Sequence, residues 1–299
     1  NSVTNANMAK VNSAAKAALG KIGSIDAPSD SNFTFTVNTE NAGSATKTFV
    51  LPLVDWGTVN FVVDWGDDNT DTITAYNQAE ITHIYGATGT YTVKLLGTIG
   101  GFRFNNGGDK LKIIDISNWG DLVISVTGTF WGCSNLTCSA TDAPETRTAG
   151  DFSTTSFQAN FWNCHVLTNI GGLWDMSGYT NFYIAFWKCY LFNDPNAANW
   201  DTSSATNMNM MLKDCSAFDQ NISGWDIESV SNYTNFMSGV TLSTANYDAT
   251  LIGWAAQDAS DSEAVHFGSS TYTSGGVAAA ARQSLIDDDS WTITDGGTA

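Results

Sequence analysis

Phe130-Trp-Gly-Cys133, Phe161-Trp-Asn-Cys164, Phe186-Trp-Lys-Cys189, Leu212-Lys-Asp-Cys215 and Phe236-Met-Ser-Gly239 are five versions of one short phrase, and their recurrence decides the fold. The cysteine slot advances by 31, 25, 26 and 24 residues through 133, 164, 189, 215 and 239, with Gly239 in the last place. Three positions later an apolar residue returns: Leu136, Leu167, Phe192, Phe218 and Leu242. A tryptophan column runs ahead of the phrase at Trp119, Trp174, Trp200 and Trp225, and is missing from the irregular second unit, 137–160, where Arg147 intrudes and a bulge is expected. A unit of about 25 residues cannot bury a core alone, so the units must stack and matching side chains must form ladders. Parallel segments in such a stack lie ~4.8 Å apart. Cys133, Cys164, Cys189 and Cys215, with Trp119, Trp174, Trp200 and Trp225, are the expected structural ladder, because a thiol fills a tight slot beside large rings.

The phrase also suggests a binding feature. Trp131, Trp162 and Trp187 each follow an inward-facing Phe, so their indoles should lean outward or sideways as an aromatic stripe. Such a stripe could meet sugars or protein partners, form an outer packing layer, or contact a neighbouring copy. The cysteines, at repeat intervals and without a Cys-x-x-Cys pair, argue against metal binding and for buried free thiols. Disulfides between ladder neighbours are geometrically awkward. Cys138 lies outside the column.

Upstream, the pattern changes to alternation. Phe33–Val37, Thr48–Leu51, Val59–Asp64, Asp71–Thr74, Thr90–Leu95 and Gly101–Phe104 are expected strands separated by Asn and Gly clusters, which predicts an antiparallel sandwich. Asp64, Asp67, Asp68 and Asp71 form the densest acidic cluster, a candidate Ca²⁺ site or a solvated turn. Before these strands, Met8, Val11, Ala15, Ala18 and Ile22 make one stripe of an Ala-rich helix. That helix either docks on its own domain or serves as a homo-oligomerisation arm; residues 27–32 read as a linker. At the other end, 247–257 and 276–286 are helix-like and Trp291-Thr-Ile-Thr294 alternates, as a solenoid cap should.

Composition narrows the function. The chain has 299 residues with 12 Lys+Arg against 30 Asp+Glu, a net charge of −18, and 36 aromatic residues (11 Trp, 16 Phe, 9 Tyr), too many for a disordered coil. Residues 151–281 carry Lys188 and Lys213 as their only bases, which argues against nucleic acid. No stretch approaches the ~20 apolar residues of a membrane helix. His83, His165 and His266 have no motif setting them beside a nucleophile, and no G-x-S-x-G, H-E-x-x-H or phosphate loop occurs, so no enzyme is expected. Low charge with abundant Asn, Ser, Thr and Gly points outside the cell. Asn1 in place of Met, without a leader profile, predicts a processed chain or a piece of a longer one.

Two resemblances sharpen this. Val63-Asp-Trp-Gly-Asp-Asp68, His83-Ile-Tyr85 and Gly89-Thr-Tyr-Thr-Val93, in that order, resemble the PKD-type immunoglobulin-like module, which implies that Trp65, Tyr85 and Tyr91 fill its core. Trp200-Asp-Thr-Ser-Ser-Ala-Thr-Asn-Met208, continuing through Met211, Cys215, Phe218 and Ile222 to Trp225, resembles the BspA-like leucine-rich-repeat surface proteins. Ser117–Gly120 and Ala140–Pro144 look like that family's entry segment, and Leu251-Ile-Gly-Trp254 and Trp291–Gly297 like its closing one. The combined reading is a mainly β chain: an N-terminal helical arm and linker (1–30), a PKD-like antiparallel β-sandwich (31–106), a short leucine-rich-repeat-like solenoid (107–245) and a C-terminal α/β cap (246–299). The resemblance implies a non-enzymatic adhesion or interaction protein at a cell or virion surface, binding protein or glycan. A structural subunit of a virion (fibre or decoration protein) or of a surface filament, and a carbohydrate-binding module, are the rival expectations.

Overall fold

In a computed structural model, residues 31–124, 126–144 and 155–299 are described. The expected helical arm with Met8, Val11, Ala15, Ala18 and Ile22, and Arg147 of the irregular unit, lie outside these residues. The described chain is mainly β, with strands β1 (Phe33–Asn38), β2 (Thr48–Val50), β3 (Val59–Asp64), β4 (Thr70–Ile73), β5 (Thr82–Ile84), β6 (Thr90–Ile99), β7 (Ile113–Asn118) and β8 (Thr137–Cys138) before the repeats. Helix α1 (Thr244–Trp254), β9 (Ala264–His266), α2 (Val277–Asp287) and β10 (Thr292–Thr294) follow them.

Alternation in the first strands does what its period demands. Phe33, Phe35 and Val37 of β1 and Val93 and Leu95 of β6 turn inward, and polar partners turn out. The main sheet runs β4-β3-β6-β1-β7-β8, while β2 and β5 pair separately, with Phe49 of β2 meeting Phe35 at 5.8 Å between ring centroids. Trp65 stacks on His83 at 4.7 Å, His83 meets Tyr85 edge to face at 4.5 Å, and Tyr85 stacks on Tyr91 at 3.8 Å, which is why aromatic residues stand at those places.

Bonding passes without a break from this sheet into the repeats. The boundary read at 106–107 is crossed by β7, which lies beyond it yet pairs with β1, and β8 then adds in parallel. Phe104 and Asn106 donate backbone N–H groups to Thr129 and Trp131 carbonyls at 2.9 Å each, so the end of the first half is also the lowest rung of the stack. Lys112 is buried at this junction, and its ammonium donates to the carbonyls of Ser44, Ala45 and Thr48 at 3.0, 3.0 and 2.7 Å.

Above that rung, each turn of the chain bonds to the next. Phe182, Ile184, Phe186 and Lys188 donate to Asn207, Asn209, Met211 and Lys213, and Met208, Met210, Leu212 and Asp214 donate to Asn232, Thr234, Phe236 and Ser238. Two left-handed residues four apart occur in every turn: Gly128/Gly132, Ala159/Asn163, Ile184/Lys188, Met210/Asp214 and Asn235/Gly239. A β-branched residue such as Ile184, at φ 51°, takes this conformation at a cost of about 1–2 kcal/mol. The inter-turn bonds on either side hold it there.

This periodicity corrects one register. Cys133, Cys164, Cys189 and Cys215 each directly follow a left-handed residue (Gly132, Asn163, Lys188, Asp214) and donate their N–H to the residue three before. After Gly239, the next of that left-handed column, the residue in this place is Val240, which donates to Met237. Val240 therefore takes the thiol slot, and Gly239 belongs to the left-handed column one place earlier. The stack ends in α1, α2 and the parallel pair β9–β10. Met237 donates to His266 at 2.9 Å, and Phe267 to Thr294 at 2.8 Å, carrying the ladder into the closing layers.

Candidate functional site

The inner ladder defines what the outer face can be. Cys133, Cys164, Cys189 and Cys215 are fully buried free thiols, and Cys138 is also buried and free. Three of the ladder thiols tie adjacent turns together: Cys164, Cys189 and Cys215 donate S–H to the carbonyls of Phe130, Phe161 and Phe186 at 3.2, 2.9 and 3.1 Å. Burial raises the pKa of Cys133, Cys164 and Cys215 well above the ordinary thiol value, and that of Cys138 to about 12, so none of these four is poised as a thiolate. The Phe column stacks at 5.5 and 5.4 Å through Phe130, Phe161 and Phe186. Trp119, Trp174 and Trp225 bury their rings and donate Nε1–H to Ile170, Ile170 and Ala197 carbonyls at 2.8, 2.9 and 2.8 Å. Trp200 stacks on Trp225 at 5.9 Å. Trp254, which the repeat reading left out, extends the column into α1 by donating to Ile222 at 3.0 Å.

Trp131, Trp162 and Trp187 form a second, outer ladder. Their rings lie nearly parallel, 4.3 and 4.9 Å apart, and are half-buried. The broad faces therefore meet one another, and a sugar ring seeking an open indole face finds none between them. The fourth position of the column is Lys213, whose ammonium lies 5.5 Å from the Trp187 ring, with that of Lys188 at 5.2 Å. Trp187 donates Nε1–H to Asp214 at 3.0 Å. The stripe expected here is an edge rather than a platform.

Beside this edge lie the residues the phrase turns outward on either side of each buried cysteine. Asn163 and Lys188 share one column, His165 and Tyr190 the next, Val166 and Leu191 a third. Val166, Tyr190 and Leu191 are 37%, 38% and 50% exposed, and the His165 and Tyr190 rings meet at 5.0 Å. A cleft of about 330 Å³ opens here between Asn106, Lys110, Asn163, His165, Lys188 and Tyr190. Burial, reinforced by the nearby Lys188 charge, holds His165 below the usual imidazole value. Among the described residues the ion pairs are His83–Asp67, Lys112–Asp109 and Arg282–Asp295, so Lys110, Lys188 and Lys213 have no carboxylate partner there.

Two other outward columns of the stack, one of Thr and one of Asn, are bonded internally. Thr180 donates to the Thr155 hydroxyl at 3.0 Å, and Thr206 to the Thr180 carbonyl at 3.1 Å. Asn181, Asn207 and Asn232 each accept the N–H two residues on.

The aspartates near β3 are not brought together as a cation site. Asp64 accepts the Gly66 N–H at 2.9 Å, Asp67 pairs with His83 at 2.8 Å, Asp71 accepts the Trp65 indole at 2.8 Å, and Asp68 occupies a left-handed turn. No group of three or more His, Cys, Asp or Glu among the described residues is placed to hold a metal ion. The calcium expectation is corrected accordingly: these carboxylates hold the turn, and two of them orient the Trp65–His83 stack. His266 accepts the Gly268 N–H through Nδ1 at 2.9 Å and closes a turn.

Fold and face together define a mainly β protein of stacked turns with one basic, aromatic side. Residues 154–275 match the family described as "Mycoplasma protein of unknown function, DUF285", which covers the greater part of the stack and the start of the cap. No curated protein and no solved structure matches the chain. No helix among the described residues is long and apolar enough to cross a membrane.

Proposed function

We propose that the chain is a non-enzymatic, extracellular interaction protein of the BspA-like type, a PKD-like sandwich followed by a leucine-rich-repeat-like solenoid, that presents one face to a protein or glycan partner. The observation that carries this is the sidedness of the stack. Exposed Val166, Tyr190 and Leu191 gather with Lys110, Lys188 and Lys213 on a chain of net charge −18, while the Thr155–Thr180–Thr206 and Asn181–Asn207–Asn232 columns are polar and bonded internally and Leu173 is exposed singly. Exposed apolar and aromatic side chains rimmed by charge are what partner surfaces carry. The family match supports a relation for residues 154–275, and the matched family is itself of unknown function.

The test is a Val166→Ser/Tyr190→Ser/Leu191→Ser variant in a binding screen against intact cells, matrix proteins and immobilised glycans. A lost interaction with an unchanged thermal midpoint supports the face. Undiminished binding by the folded variant overturns it. Self-association through the stripe Met8–Ile22 rests on residues outside those described, and light scattering of the full chain decides it.

A further inference from the structure

We propose that the cleft between Lys110, Lys188, His165 and Tyr190 takes an acidic saccharide, its anionic group held by the two lysines and its ring laid against Tyr190; this rests on the interaction-face reading above and names its ligand. Charge is the first argument. The chain has 30 carboxylates to neutralise 12 bases, yet Lys110 and Lys188 line one cleft without a carboxylate partner among the described residues. Lys110 is held in place by donating to the Asn106 carbonyl at 2.9 Å and to that residue's side-chain oxygen. Lys188 is held over the Trp187 ring at 5.2 Å. Two oriented ammonium groups are a local anion site even on an acidic protein, because distant carboxylates are screened over about 8 Å at physiological ionic strength, and Asp214, the acid beside Lys188, is engaged by the Trp187 indole N–H.

The remaining lining selects a sugar over an acidic peptide. Asn106, Ser134 and Asn163 offer amide and hydroxyl groups suited to ring hydroxyls, and Tyr190 offers an exposed ring tilted 36° against His165 at 5.0 Å. Leu111 is the one aliphatic side chain among the lining residues, so a peptide side chain finds little aliphatic cover there. At about 330 Å³ it is near the lower end of the ~300–1,000 Å³ of small-ligand sites, fitting a short saccharide rather than a folded domain.

Calorimetric titration of the full chain tests this with three probes: a uronate oligosaccharide, a sulfated one and a neutral one of equal length. Binding of either anionic probe, weakening as salt rises, and none of the neutral probe is expected; which anionic probe binds assigns carboxylate or sulfate. Lys110→Gln/Lys188→Asn should lower that affinity about tenfold or more, Asn being the residue the equivalent Asn163 already places in the same left-handed slot. Lys94→Gln, a charge lost on β6 outside the cleft, should leave it unchanged. Equal binding of the neutral probe, no binding of either anionic probe, or undiminished affinity in the folded double variant overturns the proposal. Failure here with a cell or matrix interaction still lost in the Val166/Tyr190/Leu191 variant removes the cleft and leaves the face; loss of neither removes both.

Discussion

At the residue scale, the repeating thiol earns its place through volume and one weak bond. Cys189 is fully enclosed and donates to the Phe161 carbonyl. All five cysteines should therefore resist an aromatic disulfide reagent in the native protein and react together once it is unfolded; rapid native labelling of any ladder cysteine would contradict the packing. The outer indoles make a different contribution. Trp162 stacks on Trp131 and Trp187 at once, so Trp162→Ala removes two ring contacts from a half-buried site. A loss of about 2–3 kcal/mol is expected in denaturant melts, below the roughly 3–5 kcal/mol of a fully buried Trp. Trp187→Ala, with only one indole neighbour, should cost less.

At the scale of elements, the cap is joined by a carboxylate. Asp295, just after β10, accepts from Arg282 of α2 at 2.7 Å and from Tyr247 of α1 at 2.6 Å. Burial alone would raise its pKa, but the bonds from Arg282 and Tyr247 outweigh that and hold it below the ordinary 3.8. A depressed carboxylate stabilises the fold above the unfolded-state value and loses that contribution as pH falls through the folded one. Asp295→Asn should thus cost about 1–3 kcal/mol near neutrality, with the gap to wild type closing below pH 3.8. A pH-independent gap in urea melts would show that shape rather than charge is at work. The other joining element is Lys112: Lys112→Met leaves the Ser44, Ala45 and Thr48 carbonyls without their donor and the buried Asp109 without its cation, so about 3–5 kcal/mol should be lost, measured in the same melts.

Across the whole molecule, the sheet and the stack share strands and a continuous apolar core from Phe33 to Trp291. One cooperative transition is expected in calorimetry, with the van't Hoff and calorimetric enthalpies agreeing. A chain cut after residue 106 should not fold, because β1 loses β7 and Phe102 and Phe104 lose their cover from Phe130. Two separated transitions, or a folded 31–106 fragment, would show independent halves instead.

Period and composition were enough to read the stacking phrase, the inward Cys and Trp columns and the alternating strands, since burial at a fixed spacing leaves its mark directly on residue type. They were also enough to place the closing helices and final strand within a few residues. Three things came only from tertiary structure. Val240 rather than Gly239 fills the last thiol slot, because backbone conformation and not side-chain likeness sets the register. The outer tryptophans spend their faces on one another, because a separation of 25 residues along the chain is a few ångströms up the stack. Lys110 meets Lys188 across one cleft, although 78 positions separate them in the sequence, and no local pattern records which distant side chains a coiling backbone will bring side by side.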